Sequence, residues 1–211
     1  MIKKHLKTMI ITSIIMLIPT VVGVILWSKL PEQLPMHWEP SGQVDGWMSK
    51  PLVIFALFPG LIALQWLCLL ATSVDPKSRN ITKKPMTLVL WIVPPLSLLV
   101  AAMTYLTALD YKLSVERIMP IFMGLVFVVI GNYLPKCKQS YTVGIKLPWT
   151  LDNEENWNMT HRFAGKVWIV GGLLGMACAF VGGFALFMVI TFAIVIVPTV
   201  YSYLYFRKQS K

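Results

Sequence analysis

The chain has 211 residues, 56% of them hydrophobic and 13% charged, with a formal net charge of +10. This composition excludes a soluble globular domain, because the apolar residues fall in runs long enough to cross a bilayer. The positive charge is sorted between loops and forms no single stripe, which argues against a nucleic-acid surface.

Crossing about 30 Å of hydrocarbon takes roughly 20 apolar residues per helix. Six segments qualify, near residues 9–28, 51–72, 87–109, 118–134, 164–182 and 184–206, the fourth being the shortest. The predicted fold class is therefore all-α, an integral membrane bundle of six transmembrane helices. Placing the N-terminus and the C-terminus in the cytoplasm puts 15 of the 19 Lys and Arg residues on that side and leaves Lys29, Lys50, Lys112 and Arg117 outside, as the positive-inside bias requires. The first run, Met1 to Trp27, has the basic start of a signal peptide, but its apolar stretch is long and lacks a small-x-small cleavage site, so it reads as a retained span. Cys68 and Cys178 fall within spans and Cys137 in a predicted cytoplasmic loop, so no outside loop offers a disulfide.

The first outside loop, residues 29–50, holds three prolines and two glycines. These exclude a long helix and predict an ordered set of turns at Pro40-Ser41-Gly42 and Asp45-Gly46, with Trp38 and Trp47 suited to the membrane interface. Pro19, Pro59, Pro94, Pro95 and Pro198 lie inside spans, where each frees a backbone carbonyl and kinks its helix unless a neighbour satisfies that oxygen. Residues 75–85 read as a basic anchor near anionic lipid. In the fifth span Gly171, Gly175, Ala179 and Gly183 recur every four residues, a small-residue ladder that admits close approach of another helix. Its partner is either the sixth helix, reached through a tight Gly182-Gly183 turn, or a second copy of the chain.

No acidic or basic residue lies near the centre of any span, which argues against a proton relay. Gln65 and scattered Ser and Thr remain as interhelical hydrogen-bonding groups. The histidines do not gather: His5 and His161 are predicted inside, His37 outside. His37 with Glu39 and Asp45, or His161 with Asp152, Glu154 and Glu155, offers a weak divalent-cation site, one histidine among carboxylates. No His-x-x-x-His, Cys-x-x-Cys or Gly-x-Ser-x-Gly pattern occurs. The residues therefore imply no catalytic set, no metal site and no cofactor, and predict that the protein is not an enzyme. The alternative is a membrane-embedded, metal-dependent hydrolase using the cytoplasmic loop.

That loop, residues 135–163, is polar and aromatic within an otherwise hydrocarbon chain. Asp152 and Glu155 have capping-box spacing, which predicts a helix from about Asn153 that carries Trp157 and His161 on one face. Upstream, Gly144 and Pro148 predict an extended segment from Tyr141 to Trp149. Tyr141, Trp149 and Trp157 beside Lys136, Lys138, Lys146 and Arg162 suit contact with a protein or with lipid headgroups.

Asn132-Tyr-Leu-Pro-Lys, Tyr141-Thr-Val-Gly-Ile-Lys-Leu-Pro-Trp-Thr-Leu and Glu155-Asn-Trp-Asn-Met-Thr-His-Arg-Phe-Ala-Gly165 resemble the signature of the SdpI family of bacterial multi-pass membrane immunity proteins. The outside stretch from Leu34 to Lys50 resembles the loop of the membrane domain that commonly precedes it. The resemblance implies an N-terminal two-helix region, 1–85, with a structured extracellular loop 29–50, and a C-terminal four-helix region, 86–211, with a structured cytoplasmic loop 135–163. It implies a protein of the bacterial cell membrane that confers resistance to a secreted toxic peptide and relays the toxin's presence by holding a cytoplasmic repressor at the membrane. Its partners would be membrane lipid, the peptide and that repressor, with no direct nucleic-acid contact. Carried onto this sequence, the outer, toxin-facing positions are His37, Trp38, Gly42, Asp45, Gly46 and Lys50. The inner, relay or scaffold positions are Asn132, Tyr141, Gly144, Lys146, Pro148, Trp149, Glu155, Trp157, Thr160, His161 and Arg162, with Pro135 and Gly165 completing the motifs.

Overall fold

The structure, a computed structural model, describes residues 2–181 and 183–209. Met1, Lys211 and the Gly182 half of the expected Gly182-Gly183 turn lie outside the described residues. Among the described residues six helices are long and apolar enough to cross a membrane: α1 (Ile2–Ile25), α2 (Lys50–Ser73), α3 (Lys83–Ala108), α4 (Val115–Tyr133), α6 (Glu154–Val181) and α7 (Phe184–Gln209). Between α4 and α6 lies a short helix, α5 (Pro148–Asp152). The spans are those expected from the apolar runs, but several begin earlier. α1 starts at Ile2 and takes in Lys3, Lys4 and Lys7, good helix formers whose aliphatic stems can lie along the helix while the ammonium groups reach water.

Residues 29–50 depart from the expected set of turns. Strands β1 (Gln33–Trp38) and β2 (Val44–Ser49) form an antiparallel hairpin whose register is interrupted around His37. Prolines exclude a helix but not an edge strand, and the bulge at His37 lets the pairing bend. The turn closes with the Glu39 N–H donating to Gln43 O and the Gly42 N–H donating to Glu39 O, both at 2.8 Å. Gly42 has φ 85°, a conformation that favours glycine.

Close contacts divide the chain into two units, described in turn. The first comprises residues 2–70 with 87–115. The 85/86 boundary expected from sequence falls inside α3, and from Thr87 onward that helix groups with α1 and α2. Its core joins Leu30 and Leu34 to Val53, Ile54 and Phe58 of α2 and to Ala101 and Tyr105 of α3. Leu34 is completely buried, which draws the hairpin onto the helices with about 1.5–3 kcal/mol of apolar burial. The Thr104 hydroxyl adds a bond to the Pro35 carbonyl at 3.1 Å.

Two prolines of this unit show how freed carbonyls are handled. Pro94 has no N–H for the carbonyl of Leu90. The buried Gln65 Nε2 donates to that oxygen at 2.6 Å, while Gln65 Oε1 accepts from the Thr12 hydroxyl at 3.2 Å. Ahead of Pro59, residues Val53–Leu57 widen into a π-helical stretch, the kind of local rearrangement that absorbs a missing ladder bond. The carbonyl of Ile54 in that stretch accepts from the Thr20 hydroxyl at 3.1 Å.

The second unit comprises residues 71–86 with 116–209. α6 is glycine-lined on two sides. Gly171 and Gly175 face α7, where an added Cβ would meet Ile194 at 2.2 Å and Phe187 at 3.3 Å. The predicted ladder therefore packs on the sixth span of the same chain. Gly165 and Gly172 face α4, opposite Gly131 and Gly124, with would-be Cβ contacts to backbone oxygen of 2.5–2.9 Å on both helices. This second seam lets the shortest span approach backbone to backbone.

Candidate functional site

The hairpin carries the outer candidate residues. His37 and Asp45 are cross-strand neighbours, with Nδ1 of His37 2.5 Å from Oδ1 of Asp45 and both side chains in solvent. Gly46 pairs with His37, and a Cβ there would lie 2.7 Å from the His37 Cβ. The Asp-Gly pair thus gives the imidazole room to reach its carboxylate. Trp38 is half-buried at the end of β1, and among the described residues its indole N–H has no acceptor. Trp47 is exposed.

Lys50 differs from its expected place among the outer, exposed residues. It is 3% exposed, and its ammonium donates to the carbonyls of Trp27 and Leu30 at 3.2 and 3.0 Å and to Glu32 Oε1 at 3.0 Å, beneath the Trp27 ring. A buried ammonium is tolerated only when its three protons find acceptors. Lys50 therefore ties the base of the hairpin to the end of α1 and offers no free charge to a ligand.

In the second unit the polar segment between α4 and α6 folds back on itself. α6 begins at Glu154, close to the predicted start, but its cap is Asn153 and not Asp152: Asn153 Oδ1 accepts the Asn156 N–H at 2.9 Å. An Asn or Asp side chain serves equally as a cap, and the short α5, opened by Pro148, uses Asp152 as its last residue. The extended run predicted from Tyr141 to Trp149 gives way at Pro148 to α5, since proline at a first helical position loses no bond. The Thr150 hydroxyl accepts the Leu147 N–H at 2.9 Å.

His161 and Trp157 share a face as predicted, their rings stacked at 4.1 Å. His161 Nδ1 lies 2.8 Å from the Trp157 carbonyl, and Nε2 accepts the Ile145 N–H at 2.9 Å. A carbonyl can only accept, so Nδ1 carries the proton and the Nε2 lone pair is taken by the backbone. Both nitrogens are committed, and the ring is 1% exposed. Gly144 rests on this pair with φ 122°, where a Cβ would come within 2.6 Å of His161 Nε2 and 2.7 Å of the Trp157 ring. The Trp157 indole donates to the Cys137 carbonyl at 2.8 Å. Burial pushes the Cys137 thiol up to about 11.

A buried polar knot joins the start of α6 to α7. Ser202 Oγ donates to Asn156 Oδ1 at 2.9 Å, Asn156 Nδ2 donates to the Ser202 carbonyl, and the Thr160 hydroxyl lies 2.7 Å from Ser202 Oγ. The Trp149 indole N–H completes the set, donating to Ser202 Oγ at 2.9 Å, with its ring against Tyr203 and Phe206. Trp149 is thus committed to this knot, where the sequence suggested an exposed contact residue. Glu155 is held by the Tyr205 hydroxyl at 2.6 Å and Gln209 Nε2 at 2.9 Å. Of the inner candidates, Asn132, Tyr141, Lys146, Pro148, Glu155 and Arg162 remain exposed.

The first part of residues 75–85, the segment read from sequence as a basic lipid anchor, holds this loop in place. Asp75 is 5% exposed. Its carboxylate accepts from the Lys77 N–H, the Tyr141 N–H and the Thr142 hydroxyl at 2.7, 2.9 and 2.8 Å. Asn80 donates to the Gln139 carbonyl, and Gln139 Nε2 donates to the carbonyls of Thr150 and Leu151. An Asp-Pro turn after a span is a sequence cue for such an anchor, but its partner lies more than sixty positions away. Among the described residues no three His, Cys, Asp or Glu side chains converge to hold a metal.

Residues 136–202 match the SdpI/YfhL protein family, and residues 14–63 match a domain of unknown function (DUF1648). These matches fall on the folded segment with α6 and most of α7, and on the second half of α1, the hairpin and the first half of α2. The immunity protein SdpI of Bacillus subtilis (strain 168) is 26% identical over 211 residues, spanning 96% of this chain and 98% of that protein. The chain is thus similar to the SdpI/YfhL family over residues 136–202 and to SdpI along nearly its whole length. No solved structure matches it. With six helices long and apolar enough to cross a membrane it is a multi-pass membrane protein, and within the matched segment Gly144 packs on Trp157 and His161 while His161 bonds the Trp157 carbonyl and the Ile145 N–H.

Proposed function

We propose that the protein is a membrane immunity protein that protects a bacterium against a secreted, membrane-active toxic peptide. The observation that carries this reading is end-to-end similarity to a protein described as an immunity protein. The site chemistry is consistent with it: both ring nitrogens of His161 are hydrogen-bonded, and the Asp75 carboxylate accepts three hydrogen bonds and the Glu155 carboxylate two. A binding role fits groups already held by partners within the fold.

With both termini in the cytoplasm, as the positive-inside bias favours, the hairpin faces the exterior and presents His37, Asp45 and Trp47 to the peptide. The inner loop then faces the cytoplasm, where Tyr141 and Lys146 form the accessible surface for a repressor. Expression of the chain in a sensitive strain, challenged with candidate peptides, tests the reading. Survival that depends on His37 and Trp47 supports it, and unchanged killing across the peptides overturns it. Reduced capture of a repressor by Lys146→Ala with unaltered survival would separate relay from protection.

A further inference from the structure

A groove of about 330 Å³ runs between α6 and α7, lined by Val170, Gly171, Leu174, Ala193, Ile194 and Val197, with Lys166 at one end. On the α7 side Ala193, between Ile190 and Val197, is the smallest side chain of its lining. Arg162, Lys166, Val170 and Leu174 are spaced four apart on α6 and so form one stripe, two cations followed by two apolar side chains. Arg162 and Lys166 are exposed, and among the described residues neither has a carboxylate partner. The carboxylate on this stripe, Glu155, lies nearly two turns beyond Arg162 and is held by Tyr205 and Gln209. Beside Lys166, Phe163 stacks on Tyr201 at 4.2 Å and Tyr201 on Tyr205, an aromatic ladder of the kind that marks a headgroup boundary. From Lys166 to the far end of α6 is about 22 Å at 1.5 Å per residue, so the cations sit near one edge of the hydrocarbon and the groove within it.

We infer that this groove is a binding site for one anionic phospholipid, its phosphate held by Lys166 and Arg162 and an acyl chain lying along Val170, Gly171, Leu174 and Ala193. The fit is amphipathic and ordered along a single axis. A zwitterionic lipid supplies the chain without the net charge, and a free phosphate supplies charge without the chain. Each basic residue near a membrane surface contributes about 1 kcal/mol toward anionic lipid, roughly a five-fold preference.

The test uses the purified full-length protein in detergent, supplied with phosphatidylglycerol, phosphatidylcholine or inorganic phosphate, with retained lipid read by native mass spectrometry and melting temperature read in parallel. One phosphatidylglycerol should be retained in preference to phosphatidylcholine, and phosphate alone should leave the melting temperature unchanged. Lys166→Gln should lower that preference roughly five-fold. Ala193→Leu, which fills the groove and leaves both charges in place, should abolish retention of either lipid. Equal retention of the two lipids by the unaltered protein, retention unaffected by both substitutions, or a melting shift produced by phosphate alone would each overturn the inference. Should Ala193→Leu fail to fold, Lys166→Gln and the lipid comparison still decide it.

Discussion

Gln65 gives the most discriminating test of how this bundle is held together. Pro94 deprives the Leu90 carbonyl of its helical donor, and Gln65 Nε2 takes that place at 2.6 Å between residues that are 3% and 1% exposed. Gln65→Leu keeps the side-chain size but leaves the carbonyl unpaired, at a cost of about 1–3 kcal/mol. Thr12 keeps its Met9 carbonyl acceptor at 3.1 Å, so loss at that end is small. Pro94→Ala restores an N–H to Leu90, and in that background Gln65→Leu should be much less damaging. Interhelical hydrogen bonds in membranes average about 0.6 kcal/mol and reach about 1.7, which sets the expected coupling near 1 kcal/mol. Unfolding of the four purified variants in bicelles yields the cycle directly. A coupling under about 0.3 kcal/mol, within the usual error of additivity, would refute the claim that Gln65 replaces the proline's missing donor.

Further outcomes follow from the two loops. Gly144→Ala should destabilise the protein by about 3 kcal/mol or more, through strain at φ 122° and displacement of the His161 ring. Gly60→Ala, where no atom lies within 4 Å, should be neutral or mildly stabilising in the same thermal assay. Lys50→Met should leave the carbonyls of Trp27 and Leu30 unpaired and speed proteolytic nicking of the hairpin, with melting of the other unit little changed. The Cys137 thiol, raised by burial to about 11, should alkylate slowly at neutral pH, its rate rising about ten-fold per pH unit because the thiolate is the nucleophile. A plateau near pH 9 in mass-spectrometric labelling would show that the thiol is not buried in solution.

The legible parts of the fold are those set by local physics. Apolar runs of span length, the helix start beside Asn153 and the Trp157–His161 pairing at four residues depend on neighbours in sequence, so composition and period suffice. The hairpin was hidden because its six-residue strands carry no clear alternation, and because it is stabilised by Leu34 and Thr104 contacts with α2 and α3. His161 and Asp152 resembled metal ligands since a sequence lists donors without showing what occupies them. Ile145 N–H occupies one nitrogen, and that partner is sixteen positions away.

The sequence by itself determined that this is a six-span membrane protein with a polar, aromatic segment before the fifth span and no charge near the centre of a span, because burial in hydrocarbon constrains every residue of a span independently. Tertiary structure alone decided which polar groups are free. Lys50, Asp75, Trp149 and His161 are each spent on partners brought close by folding, whereas His37, Lys146, Arg162 and Lys166 stay accessible. A hydrogen bond needs two groups within about 3 Å, and no spacing along the chain reveals a donor supplied from another helix.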